Sequence, residues 1–263
     1  MHMPDHPPRQ RPTRWLLALA LVAGNFLLHK PISDVCDAFF ARVGRAPYEW
    51  TSLLGVGALA LVGAALLLRG GAPALRSGRT LAALAVLALA TVAAQRWLLV
   101  SNVELIHLPQ FGLLAALLVA AGLPPRLAWL AASAAGVLDE SYQRLVIYAA
   151  VPNVYFDWND IVLNALGAAW AVLLACGGRV DPSGPDERRG ERAALAIALV
   201  GLAAALWLAP PRLVAIASFP YWRPPLGLAA TGRDYHVMPA GEGVAALLLL
   251  WVLVAAGTGG DQD

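Results

Sequence analysis

Asp139, Glu140 and Gln143, followed by Asp157, Asp160 and Asn164 and preceded by Glu104 and His107, are side chains that can move a proton, hold a cation or hydrogen-bond a polar ligand. Carboxylates beside a histidine suit general acid–base work, because burial raises a carboxyl pKa towards neutrality and one group can give a proton while another takes it. His107, Asp139, Asp157 and Asp160 equally offer nitrogen and oxygen ligands for a divalent metal. The same groups can bind sugars or peptide with no reaction at all. No nucleophile motif and no His-Glu-x-x-His spacing accompanies them.

Their spacing places them on helices. Asp157, Asp160, Asn164 and Gly167 recur at intervals of three, four and three, one stripe of a helix. Asp157 or Asn159 is suited to cap that helix, which leaves Asn164 unexplained because it lies a turn or more inside. Asp139 and Gln143 share one face of the preceding helix, and Glu140 and Arg144 the adjacent face, where an ion pair would account for that charge. Pro109 is tolerated in a first helical turn, so a further helix is expected to begin near His107.

The elements that carry these residues are apolar. Hydrophobic residues make up 59% of the 263 and charged ones 14%, with a mean hydropathy of +0.63, against about 45–50% and about 25% in soluble domains. An all-α, polytopic transmembrane bundle is the fold class this implies. Runs long enough to cross about 30 Å of hydrocarbon lie near 15–29, 50–68, 80–100, 108–123, 127–148, 160–177, 193–209 and 243–256, which makes about eight spans. Arg9, Arg11 and Arg14, then Arg69, Arg76 and Arg79, then Arg179, Arg188, Arg189 and Arg192 fall on one side if both termini are cytoplasmic, as positive charge prefers. Glu104, His107, Asp139, Glu140, Gln143, Asp157, Asp160 and Asn164 then all lie at extracytoplasmic ends of spans. Counting from residue 127, Asp139 sits roughly 18 Å up its helix, still within hydrocarbon, where an acidic group must face protein or water.

The chain divides into a two-span hairpin with a cytoplasmic tail (1–79), a four-span core (80–178), a Gly-, Pro- and Arg-rich cytoplasmic linker (179–192) and a C-terminal two-span hairpin with a long outer loop (193–263). The first run lacks a small-residue cleavage pattern after it and reads as a retained span rather than a signal peptide. Two cysteines are too few for a disulfide framework. Cys36, near Asp34 and Asp37, reads as a loop thiol, and Cys176 sits at the inner end of the sixth span. The 210–242 loop, with prolines at 210, 211, 220, 224 and 225, reads as an irregular connection packed on the outer surface, with a lid formed by His236 and Asp234 as the lesser alternative, and 213–219 suits a short interfacial helix. A net charge of +2 argues against nucleic acid, and no metal or cofactor is expected.

Taken together, Glu104-x-x-His107-x-x-x-Phe111, Asp139-Glu140-x-x-Gln143 and Asp157-x-x-Asp160-x-x-x-Asn164-x-x-Gly167 resemble the signature of the VanZ-like family of bacterial membrane proteins. The resemblance covers about 95–177, with His107, Glu140, Gln143, Asp160 and Asn164 at the family's characteristic positions. Phe111 stands where the family often has tyrosine, and Val151 to Val154 replaces a stretch that usually holds an arginine, so a fixed cation for phosphate would have to come from Arg144 or Arg96. The resemblance implies a multi-pass protein of the bacterial inner membrane, in a family whose founding member gives low-level resistance to the glycopeptide teicoplanin.

Three functions follow as expectations. The polar groups bind a cell-envelope amphiphile among membrane lipids, such as a lipid-linked cell-wall intermediate or a glycopeptide. Alternatively they act on such a molecule by acid–base or metal chemistry. Or they form an interhelical network in a protein whose protein partners are unknown; such bonds contribute only about 0.6 kcal/mol each, less than so many ionisable groups would need. A transporter lacks matching charge in the inner halves of the spans.

Overall fold

The computed structural model describes residues 10–69, 77–150, 156–177, 222–223 and 235–258. Seven α-helices account for most of them: α1 (Gln10–Val43), α2 (Arg45–Leu68), α3 (Gly78–Trp97), α4 (His107–Ala120), α5 (Pro125–Tyr142), α6 (Trp158–Cys176) and α7 (Ala240–Thr258). A 3₁₀ turn (Asn102–Ile106) leads into α4, and a π-helical turn (Gln143–Ile147) continues α5. Two-residue strands β1 (Trp222–Arg223) and β2 (Tyr235–His236) pair antiparallel, Trp222 opposite His236.

Six helices among the described residues are long and apolar enough to cross a membrane: Pro12–Val43, Arg45–Leu68, Gly78–Trp97, Asn102–Ala120, Trp158–Cys176 and Ala240–Thr258. The expected runs at 50–68, 80–100, 108–123, 160–177 and 243–256 fall on α2, α3, α4, α6 and α7. The run at 127–148 is helical too, as α5 and its π turn, but Arg126, Asp139 and Glu140 interrupt its apolar character. The run at 193–209, the linker at 179–192 and the short helix at 213–219 lie outside the described residues.

α1 departs most from expectation. Its span was placed at 15–29 with Cys36 in a loop, whereas the helix continues through Lys30 and Pro31 to Val43. Lys30 pairs with Asp34 one turn on, and Phe39 and Phe40 pack on Tyr48 of α2 with ring centroids 5.9 and 5.3 Å apart. Those contacts hold a polar stretch in helix, and hydropathy does not register them. Thirty-four residues at about 1.5 Å each reach roughly 51 Å, well beyond about 30 Å of hydrocarbon. Gly44, at φ 76°, then reverses the chain into α2 in a conformation that favours glycine. Both cysteines are free, Cys176 buried and Cys36 partly so.

α6 is the axis of the bundle. In its apolar window 83% of residues are buried, against 6% in α1 and α2. Its sequence explains this, because Ala165, Gly167, Ala168, Ala169 and Ala171 let neighbouring backbones approach on several sides. A Cβ on Gly167 would stand 2.2 Å from the Leu108 carbonyl oxygen of α4, and one on Gly112 would stand 3.1 Å from the Gly167 carbonyl oxygen. On the other flank, Gly243 of α7 accepts the Trp158 ring and Gly257 accepts Leu173. The C-terminal helix thus belongs to the same core as α3 to α6, and Thr80 Oγ1 donates to the Gly257 carbonyl at 2.8 Å. Outward-facing leucines such as Leu27, 72% exposed, and Leu249, 71% exposed, cover the periphery with the apolar surface that lipid contact requires.

Contacts fix the helix directions. α5 is antiparallel to α6, since Trp129 Nε1 donates to the Ala165 carbonyl at 2.9 Å, Gly136 faces Asn164 and Glu140 faces Asp157. α4 and α7 run parallel to α6, while α3 runs against it, with Gly177 at Thr80 and the Leu98 carbonyl at Asn159. α1 runs against α4, with Arg14 Nη1 donating to the Ala120 carbonyl at 2.6 Å and Asn25 accepting from Gln110. The N-termini of α2, α4, α6 and α7 and the C-termini of α3 and α5 therefore gather at one end.

Gly167→Ala should lower stability by about 2 kcal/mol, because the added methyl meets backbone rather than a movable side chain. Gly241→Ala, whose Cβ meets nothing within 4 Å, should be neutral or slightly stabilising. Unfolding titrations in micelles compare the two, and equal behaviour would rule out the close α4–α6 crossing.

Candidate functional site

Two capped helix starts build the floor of the site. Before α4, Ser101 Oγ accepts from the Val103 amide at 3.5 Å, and Glu104 reaches back so that Oε1 accepts from the Ser101 amide at 3.2 Å and Oε2 from the Val100 amide at 3.1 Å. This is a Ser-x-x-Glu capping box. Both Glu104 oxygens serve the turn, so this candidate is scaffold. The turn is tied to α2 by the Asn102 amide, which donates to Glu49 Oε2 at 2.8 Å.

At α6, Asp157 is the cap, its Oδ1 accepting from the Asn159 amide at 2.9 Å. Asn159 is used elsewhere. Its Nδ2 donates to the carbonyls of Leu98 at 2.9 Å and His236 at 2.7 Å, and its Oδ1 accepts from the Met238 amide at 3.0 Å. One buried amide thereby fastens the end of α3 and the strap before α7 onto the first turn of α6. His236, considered as part of a lid, has its ring Nε2 2.5 Å from Glu242 Oε2, and Asp234 lies outside the described residues.

The remaining candidates point inward from three helices. His107 Nε2 on α4 stands 3.4 Å from Asp160 Oδ2 on α6. On α5, Gln143 Nε2 donates to Asp139 Oδ2 at 3.0 Å and to Glu140 Oε1 at 2.8 Å, and the Asp157 amide also donates to Glu140. Glu140 is thus held by Gln143 and the cap of α6, with no ion pair to Arg144 among the described contacts. The π turn that begins at Gln143 takes Arg144 out of the four-residue register such a pair needs. Asp139 and Asn164 are 0% exposed and His107 8%.

Several buried atoms at the centre lack a well-formed hydrogen bond: Asp139 Oδ1, His107 Nδ1, and both Oδ1 and Nδ2 of Asn164, with Asn25 beside Asp139 and Asn164 beside His107. Asn164 packs on Gly136, where a Cβ would come within 2.8 Å of Nδ2, and lies beside His107. Buried polar atoms are ordinarily paired, since each orphan costs roughly 1–3 kcal/mol. Several together describe a surface shaped for hydrogen bonding. Carboxylates surround it, and two of them, Glu104 and Asp157, cap the turn before α4 and the start of α6, ends that are positive by their dipoles.

A narrow crevice between α1, α4 and α5 adjoins this cluster. Leu21, Phe26, Leu114 and Ala135 make it apolar, Asn25 and Gln110 bond across it, and the Phe111 ring in its wall stacks on His107 at 6.3 Å. Among the described residues no three His, Cys, Asp or Glu side chains converge as a metal centre requires. The arrangement can hydrogen-bond a ligand and pass a proton between His107 and Asp160.

Sequence reasoning missed α1's share. His29 lies within electrostatic range of Asp139, His107 and Asp160, and Asn25 approaches Asp139. Their spacing of four in an apolar run was the available signal, because it puts both on one helical face. Ser101-x-x-Glu104 was likewise readable as a capping box. Fold and site together define a multi-pass helical membrane protein with a buried polar cluster at one end of the bundle. No protein-family model, curated protein or solved structure matches the chain.

Asn164→Leu should raise stability by about 1 kcal/mol, because it removes two polar atoms without a well-formed hydrogen bond and keeps the shape. Glu104→Ala should lower it by about 1 kcal/mol through loss of the cap. Thermal unfolding in micelles tests both, and a marked fall for Asn164→Leu would mean that Asn164 holds helices together.

Proposed function

We propose that this is a VanZ-like protein of the bacterial cell membrane whose polar cluster, at the extracytoplasmic face, binds the head of a cell-envelope amphiphile. A lipid-linked precursor or a glycopeptide is the class of ligand, which links the protein to glycopeptide resistance. The observation that carries this reading is the group of buried atoms without a well-formed hydrogen bond on Asp139, His107 and Asn164, next to an apolar crevice. A polar head and an apolar chain would each find a matching surface there.

Helix directions support the orientation. α6 and α7 both start at the end that holds the cluster, and the apolar run at 193–209 is, by composition, the candidate for a span between them. Counted with α5 and that run, eight spans with both termini opposite the cluster is the topology of this reading. The arginine-rich tail and the loops after α2 and α6 belong to that opposite end, which positive-inside preference makes cytoplasmic.

A second reading is catalysis on the same class of molecule. The 3.4 Å His107–Asp160 contact favours it, because a histidine beside a carboxylate can serve as a general acid or base. Turnover of a panel of lipid-linked precursors by purified protein, with and without chelator, separates it from binding alone.

Asp160→Asn and Glu140→Gln keep size and much of the hydrogen bonding while removing charge. Each variant should insert normally and lower the protein's effect on glycopeptide susceptibility by about tenfold, the weight of one charge-assisted bond. Normal susceptibility per molecule in both, at wild-type membrane levels, would reject the binding site. A cysteine introduced into the 179–192 linker should be accessible from the cytoplasm, and outside labelling there would reverse the orientation.

A further inference from the structure

The cluster distinguishes between classes of head. We infer that, within the amphiphile-binding reading on which this rests, the group that docks at Asn164 is a neutral hydroxyl, as on a sugar, and that phosphate is disfavoured there.

Hydrogen-bond type carries the inference. The atoms without a well-formed hydrogen bond include acceptors, Asp139 Oδ1 and Asn164 Oδ1, and a donor, Asn164 Nδ2. Turning the Asn164 amide over still leaves one donor and one acceptor. A hydroxyl both donates and accepts, so it matches the donor and the acceptor that Asn164 presents. An ammonium only donates and would leave Nδ2 unpaired. A phosphate only accepts, leaving Asp139 Oδ1 and Asn164 Oδ1 unserved.

Charge points the same way for phosphate, whereas for ammonium it offsets the hydrogen-bond mismatch, because carboxylates attract a cation. Asp139, Glu140, Asp157 and Asp160 approach one another closely enough for each to bear on Glu140, and the basic groups facing them are His29 and His107. No arginine or lysine takes part in the hydrogen bonds among these side chains. An anion at Asn164 would meet carboxylates from both α5 and α6, at 0–3% exposure for Asp139 and Glu140, where water screens little. Any phosphate on the same molecule must therefore sit away from Asn164. On this inference the chain would leave between α1, α4 and α5, by the narrow crevice beside Phe111 and Ala135.

Three dodecyl probes that share a chain and differ in head separate these possibilities: dodecyl glucoside, dodecylammonium and dodecyl phosphate. The full chain, held in amphipol, is titrated with each below its micelle concentration, with tryptophan fluorescence as readout. The glucoside should bind about tenfold tighter than the phosphate, the difference one extra satisfied hydrogen bond makes, and no more weakly than the ammonium. Asn164→Leu should compress that preference to about twofold or less, and Asp139→Asn provides a second variant if the first does not fold. Ala135→Phe, which narrows the crevice without touching the polar atoms, should weaken all three alike. Phosphate binding as tightly as glucoside, or ammonium binding more tightly than glucoside, would overturn the hydroxyl inference and leave amphiphile binding standing. An unchanged preference in a folded Asn164→Leu would also overturn it. Absence of saturable binding by all three probes would overturn the amphiphile reading along with it.

Discussion

The contact between the Gly167 backbone of α6 and the Leu108 carbonyl of α4 sets the rest of the bundle. With no room for a side chain at Gly167, the two helices meet at backbone distance, and Gly112 repeats the arrangement a turn further on. In lipid, where apolar burial gives little drive for helices to associate, such approach supplies the dispersion contact that holds them. It also aligns His107 with Asp160 and Asn164, because those residues sit one or two turns from the crossing. The site is a by-product of that packing register.

Around this crossing the polar side chains divide into two populations. Glu104 and Asp157 are consumed by backbone amides at helix starts, where four amides are always left without intrahelical partners, and Asn159 by the backbone of Leu98, His236 and Met238. Asp139, His107 and Asn164 keep atoms without a well-formed hydrogen bond. The first population makes the end of the bundle rigid, and the second gives that end something to bind with. Gln143 belongs to both, bridging Asp139 and Glu140 at the point where α5 widens into its π turn.

Much of the fold was readable from residue order. The helical start at His107, the cap at Asp157 and the stripe of Asp160, Asn164 and Gly167 all follow from local rules of helix geometry and capping, and the structure has them. The extension of α1 to Val43 was not readable, because Phe39 and Phe40 are fixed by Tyr48 across a turn, and a hydropathy window averages over such contacts. Nor was the role of Glu104 apparent among so many carboxylates, although its spacing from Ser101 stated it.

By itself the sequence determined that the chain is helical, apolar enough to live in a membrane, and polar at the ends of particular helices, since composition and periodicity act locally. Tertiary structure alone decided which of those polar groups meet. His29 and Asn25 reach the cluster because α1 lies against α4, and Arg144 leaves Glu140 because the helix changes pitch between them. Whether a buried carboxylate or amide is left with an open hydrogen bond depends on atoms far away in the chain. Spacing along one helix cannot supply that, and it is what makes Asn164 and Asp139 a candidate site.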